Sequence, residues 1–201
     1  MSDLLTRDRL IINQKVKIIE INQEFKIFDE AGSEIGAIRQ EGQSFLKKVL
    51  RVLGNYDQFF THTLAVYDIN GSKTVELIRP RKIFKSKVLV KDGNGREVGR
   101  IIQENMIGKI RFGLQGASGE SLGQIKAENW RAWDFAIVDT NDQEIGRISK
   151  KWEGVLRNVF TTADNYMLEI SPQVQGDLRM IVLASAAGID TALKQDSRGL
   201  S

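Results

Sequence analysis

The chain has 201 residues, 41% of them apolar and 27% charged, with a formal net charge of +3 and no cysteine. That length and composition suit one large or two small globular domains with a real core. The missing cysteine excludes disulfides, thiolate catalysis and zinc–thiolate sites, and it is compatible with a reducing compartment. The first ten residues hold no apolar run of signal-peptide length, which argues against secretion. Residues 10–12 and 16–19 are rich in β-branched side chains and read as extended chain.

A repeated pattern begins at Phe28-Asp29-Glu30-Ala31-Gly32-Ser33-Glu34-Ile35-Gly36: an apolar residue, Asp, Gly three positions on, then apolar-Gly at the end. A second copy runs from Asp68-Ile69-Asn70-Gly71 to Val75 without the final Gly, and three more occupy residues 92–99, 116–123 and 139–146. Asp, Asn and Gly supply turn geometry, including positive φ, between alternating strands, so each copy predicts a β-hairpin. The Gly after the apolar residue suits a bulge or a crossing of backbones too close for a side chain. Five hairpins give ten strands, and residues 10–19 and 166–170 raise the count to about twelve. Only Pro80 and Pro172 interrupt the series, and no linker divides it. A meander of that length closes into a barrel or splits into a sandwich, because an open sheet leaves its edges unpaired.

Between the second and third copies, Arg79, Arg81, Lys82, Lys85 and Lys87 fall within nine residues that hold no acid. Removing those five from the net +3 leaves −2 for the remainder. Such a cluster attracts lipid headgroups or nucleic acid phosphates, at roughly 1 kcal/mol per residue near an acidic membrane. A solvated strand or loop is the plainer reading of the same stretch. Residues 43–53 read as a crossing or a strand, and residues 150–165 as a short helix or irregular crossing.

Residues 178–193, LRMIVLASAAGIDTAL, form the most apolar stretch, with only Ser185 interrupting residues 180–189. Gly176 and Asp177 can end one element and cap a helix. Ala184, Ser185, Ala186, Ala187 and Gly188 provide no broad polar face, so a helix here must be surrounded. Helical rise gives ten residues about 15 Å and sixteen about 24 Å, short of the ~30 Å hydrocarbon core of a bilayer. A buried core helix is expected, with Met180, Ile181, Val182, Leu183 and Ile189 as its central apolar residues. A membrane-inserting segment is the competing reading, and a strand fits the periodicity but not the alanine content. A barrel of about twelve strands has a hollow middle that ordinary side chains do not fill, and this helix is the natural plug. One barrel domain over residues 1–193 and a polar, mobile tail over 194–201 are therefore expected.

Catalytic chemistry finds little support. His62 is the only histidine and lies between threonines in an apparent strand, so neither a histidine-rich metal site nor a Ser-His-Asp arrangement can be assembled elsewhere. The spacing of Asp92-Gly93-Asn94-Gly95 fits neither a P-loop nor a dinucleotide-binding turn. Trp130, Trp133 and Phe135 read as wall packing rather than a base-stacking platform.

Residues 146–157, from Gly146-Arg147-Ile148 through Lys150-Lys151-Trp152-Glu153-Gly154 to Arg157, followed by residues 160–166, closely resemble the C-terminal signature of the phospholipid scramblase family. Leu77-Ile78-Arg79-Pro80 resembles the family's Leu-x-Arg-Pro element, Val98-Gly99-Arg100-Ile101 its next hairpin, and residues 10–20 its first strands. The resemblance implies a fold like the tubby C-terminal domain and the LURP-one-related proteins: a closed, antiparallel, twelve-stranded barrel threaded by a C-terminal hydrophobic helix. It also implies calcium-stimulated, ATP-independent movement of phospholipid between leaflets, with nuclear import and DNA binding in some members. The family's acidic calcium segment is thinned here: Thr162 and Gln173 stand at two of its positions, leaving Asp164, Asn165 and Glu169. Calcium takes six to eight oxygens, usually with several carboxylates, so Asp164 marks a weak, calcium-like remnant, and a turn or cap before Tyr166 is the plainer role. The cysteine cluster that carries lipid in animal members is replaced by residues 81–87, and a minimal member without the family's proline-rich N-terminal extension is expected. Residues 147–157 resemble an import segment, with a structural crossing at the barrel rim as the plainer reading.

The expected function is non-enzymatic: binding of phospholipid at a membrane surface, with transbilayer lipid movement as the family's associated activity. Arg79, Arg81, Lys82, Lys85 and Lys87 are the expected anionic contact. The expected location is cytoplasmic, peripheral on the inner face of the cell membrane. The alternative is a cytosolic binding or scaffold protein whose basic face meets nucleic acid or a protein partner.

Overall fold

The computed structural model describes residues 3–13, 24–41, 62–80, 87–104, 111–129, 133–150 and 165–196. A 3-10 turn at Asp3–Leu5 precedes β1 (Arg9–Asn13), β2 (Glu24–Phe28), β3 (Glu34–Glu41), β4 (His62–Asp68), β5 (Lys73–Arg79) and β6 (Lys87–Asp92). There follow β7 (Glu97–Gln103), β8 (Arg111–Gly116), β9 (Ser121–Asn129), β10 (Asp134–Val138), β11 (Glu144–Ser149), β12 (Asn165–Ile170) and one helix, α1 (Gly176–Asp196). Each strand pairs antiparallel with its sequence neighbours, and β1 closes the barrel on β12, with Ile11 opposite Met167. An up-and-down meander can close antiparallel only with an even number of strands, and twelve satisfies that condition. The closed barrel and its helix are thus as the sequence implies, with α1 running on to Asp196.

All five repeats are hairpin turns with the same bonds. Asp92 N–H donates to the Arg96 carbonyl at 2.9 Å, and Gly95 N–H donates back to the Asp92 carbonyl at 3.0 Å. Equivalent bonds close the turns at 29–33, 68–72, 116–120 and 139–143. In four turns the Asp Oδ1 also accepts two amide hydrogens; that of Asp92 takes Asn94 N–H at 3.0 Å and Arg96 N–H at 2.9 Å. This is the local reason that Asp opens the motif. The fourth turn opens instead with Gly116, where a Cβ would collide with the Glu120 carboxylate. The fourth turn residue adopts positive φ, +88° at Gly95, and in the fifth copy Asp142 takes it at +66°, its carboxylate paired with Lys126.

Each hairpin ladder then shifts register by one residue, leaving Ile35, Thr74, Val98, Leu122 and Ile145 as the extra residues. The glycine after the bulge lies against a neighbouring strand. A Cβ on Gly99 would collide with the Gln115 carbonyl and lie 2.5 Å from Ile181 Cδ1 on α1. The second copy has Val75 there, and the close approach moves to Gly93, where a Cβ would meet the Lys73 carbonyl.

Alternation supplies the inner wall: Leu10 and Ile12, Phe25 and Ile27, Leu64 and Val66, Phe135 and Ile137 all join one buried cluster. The helix completes it. Ile181, Val182, Leu183, Ala184, Ser185 and Ala186 have no exposed surface and Ala187 has 5%, so nearly two turns are enclosed on every side. The Ser185 hydroxyl donates to the Val182 carbonyl at 2.7 Å, so it needs no solvent. Tyr166 reaches from β12 to donate its hydroxyl to the Ala186 carbonyl at 3.1 Å.

The two kinds of glycine give a testable contrast. Gly95→Ala meets nothing within 4 Å and is expected to cost about 1 kcal/mol, the left-handed backbone penalty alone. Gly99→Ala forces both ladder and helix apart and is expected to cost at least about 3 kcal/mol, in the range of severe core disruption. Urea unfolding of both variants measures the difference, and equal midpoints would contradict the close-approach role of Gly99.

Candidate functional site

The hairpin turns gather at one end of the barrel, and the remaining strand connections start and finish at the other. The helix enters at the hairpin end, since β12 runs toward it and Asp177 meets the third turn there. Arg96 holds Asp177 with two bonds, Nη1 to Oδ2 at 2.8 Å and Nη2 to Oδ1 at 2.7 Å, while its Nε binds Asp92 at 3.0 Å. Arg179, 4% exposed, donates to the Arg7 carbonyl at 2.6 Å, Asp8 Oδ1 at 3.0 Å and the Val174 carbonyl at 2.9 Å. Two arginines thus tie the start of the helix to a hairpin turn, the N-terminal segment and the loop leaving β12. Asp177 also suits the first turn of α1, where a negative charge opposes the helix dipole.

An open cleft of about 620 Å³ lies at the same end, between the N-terminal segment, the first hairpin and the adjoining ends of β11 and β12. Its charges answer one another. Arg9, Glu169 and Arg147 stand in register on β1, β12 and β11. Arg9 pairs with Glu30 at 3.0 Å and Glu169 at 2.9 Å, and Arg147 pairs with Glu144 and Asp134, each at 2.6 Å. This alternating row braces the closing seam of the barrel. Among the described residues, no group of three or more His, Cys, Asp or Glu side chains is arranged to hold a metal.

The expected lipid-contact residues divide. Lys87 opens β6 and is exposed at the end opposite the hairpins. Arg79 closes β5 but is 8% exposed, on the same face as Val75 and Leu77, so it belongs to the inner wall. Arg81, Lys82 and Lys85 lie outside the described residues, as does Asp164. Asn165 already belongs to β12, opposite Asn13. His62 opens β4 opposite Arg79. Of the expected central helix residues, Ile181, Val182 and Leu183 are buried and Met180 half-buried, and the side chain of Ile189 lies outside the described ones.

Trp133 packs as wall: its ring meets Phe135 edge-on at 6.1 Å and Tyr166 tilted at 5.4 Å, with the Lys150 ammonium 4.6 Å over its face. Trp130 and residues 151–157 lie outside the described residues. Sequence reasoning missed Arg96 and Arg179, since one arginine in a turn and another in an apolar helix carry no periodic signal. The only local hint was a charge at Arg179 inside a segment otherwise fit for burial.

The family model described as Scramblase matches residues 1–193, the whole barrel and most of α1. The chain belongs to the scramblase family. Among curated proteins, human phospholipid scramblase 2 is similar to this scramblase-family chain, 34% identical over 58 residues, 28% of the chain and 20% of the human protein. The alignment therefore spans a fifth of that relative. No solved structure matches. Among the described residues, no helix is long and apolar enough to cross a membrane.

The Arg96 bond, the largest influence on Asp177, holds its carboxyl below the ordinary value. A folded-state pKa below the unfolded one stabilises the fold above the ordinary carboxylate pKa, and that stability is lost as pH falls through the folded value. Asp177→Asn is therefore expected to melt below the wild type at pH 7, with the gap closing below about pH 4. A constant gap across a pH series of thermal melts would show that the pair is not its source.

Proposed function

We propose that this barrel binds anionic phospholipid at a membrane surface through noncovalent contact, with residues 79–87 as its basic contact. The observation that carries the reading is the family match over residues 1–193, and it is joined by local charge: five bases and no acid within those nine residues. Lys87 is exposed at the start of β6, while Arg79 anchors the stretch in the wall. The expected setting is peripheral, on the cytoplasmic face of the cell membrane. The apolar side chains of 181–187 are enclosed by strands, so passage of lipid through a bilayer would require release of α1 or local thinning of the membrane.

The test is co-sedimentation with neutral and acidic vesicles, with and without calcium. Wild type is compared with the combined change Arg81→Glu, Lys82→Glu, Lys85→Glu and Lys87→Glu. The expected outcome is binding to acidic vesicles that the substitutions abolish, at least tenfold weaker given roughly 1 kcal/mol per basic residue. Calcium is expected to change neither binding nor dye-lipid flipping, because Asp164 has few acidic neighbours in sequence. Calcium-dependent flipping that is lost on Asp164→Ala would refute that part. Duplex DNA binding at physiological salt without vesicle binding would replace the membrane reading with a nucleic-acid one.

A further inference from the structure

Alternation gives each strand an outer face as well as an inner one, and several apolar residues on the outer face are covered: Ile11 and Ala65 have no exposed surface and Met167 has 7%. Three others are not. Ile78, Leu89 and Ile102 are half-buried, stand outside the core cluster, and fall on the successive strands β5, β6 and β7. The register makes them one patch. Ile78 lies directly opposite Leu89, with about 5 Å between Cβ atoms. Leu89 faces Arg100 and Lys87 faces Ile102, so Ile102 is diagonal to Leu89, about 7–8 Å away.

Basic residues frame this patch. Lys87 and Lys91 flank Leu89 on the same face of β6, and Arg100 stands opposite it on β7. The outer positions of the three strands hold Lys73, Lys87, Lys91 and Arg100 against Glu76 and Glu97, a net of +2. Lys73 is engaged by Glu41 at 2.8 Å and Arg100 by Glu97 at 2.6 Å, but Lys87 and Lys91 form no ion pair among the described residues. β6 and β12 stand six places apart in the ring of twelve, so the far wall is the closing seam. There the arginines are already matched by Glu30, Glu144, Glu169 and Asp134.

We infer that the outer wall of β5–β7 is the face that lies against an anionic bilayer, so that the barrel docks on its side with Leu89 at the centre of the contact. This inference rests on the membrane reading above and adds the docking face, which joins the basic stretch at Lys87. The pairing of apolar side chains with unmatched lysines commits the face to lipid. Lysine stems lie along apolar surface while their ammonium groups reach the phosphates, and Ile78, Leu89 and Ile102 enter the headgroup region between them. Attraction of the lysines to the acidic surface brings the wall down, and the apolar contact holds it there.

The absence of cysteine permits a direct test with single labels. Leu89→Cys probes the patch, Lys26→Cys the exposed outer face of β2, and Asn141→Cys the exposed tip of the fifth turn. Each variant carries an environment-sensitive fluorophore and is mixed with phosphatidylcholine–phosphatidylserine vesicles, with and without spin-labelled lipid, while co-sedimentation reports binding. The expected result is a several-fold emission rise and lipid quenching for the Leu89 label alone. Unlabelled Leu89→Glu, at a position outside the core cluster, is expected to melt as the wild type does and to sediment at least tenfold more weakly. Binding with no response at Leu89, with a response at Lys26 or Asn141, or undiminished in Leu89→Glu, overturns the docking face and leaves membrane binding standing. Failure of the wild type to sediment overturns both.

Discussion

Twelve strands closed into a ring enclose a space about as wide as a helix, and the rest of the structure answers the need to fill it. Inward-facing side chains such as Ile12, Val66, Leu114 and Ile137 cannot meet across that space unaided. The segment from Ile181 to Ala187 fills it, and the small Ala184, Ser185, Ala186 and Ala187 let the wall approach closely. Neither part is satisfied alone: the helix lacks a polar face, and the barrel lacks a filler. Shape also works from the strand side, where Gly99 leaves room for Ile181 and Gly146 lies near Val182.

The helix is held unevenly along its length. Its charged attachments among the described residues, through Arg96 and Arg179, sit in its first turn at the hairpin end. Midway, Ile181, Val182, Leu183 and Ala184 pack in the apolar cluster, and the Tyr166 hydroxyl donates to the Ala186 carbonyl. Any rearrangement that frees the helix must break ion pairs at one end and expose an apolar wall along the whole lumen. That makes the enclosed helix a structural pillar of the barrel.

Much of this architecture could be read from residues whose local physics has one solution. Asp followed by Gly three positions later closes a turn at three copies, and the same backbone bonds form at the two copies that depart from it, where Gly116 replaces Asp and Asp142 replaces Gly. The apolar run of 180–189 had to be enclosed, and it is the filler. What escaped the sequence depends on partners far along the chain. Arg79 looked like one more member of a basic stretch, yet strand alternation turns it inward beside Leu77. Arg96 and Asp177 are 81 residues apart, and nothing local in either names the other. The row of Arg9, Glu169 and Arg147 exists only once the first strand meets the last.

That closure governs how the chain must mature. β1 is made first, but its partner β12 ends at Ile170, and the filler follows at residue 176. During synthesis the growing sheet keeps an unpaired edge at β1 and an empty apolar inner face until β12 and α1 have left the ribosome. The contact between β1 and β12 is of the long-range kind that slows folding. A chain truncated before Gly176 would carry every strand around an unfilled apolar interior.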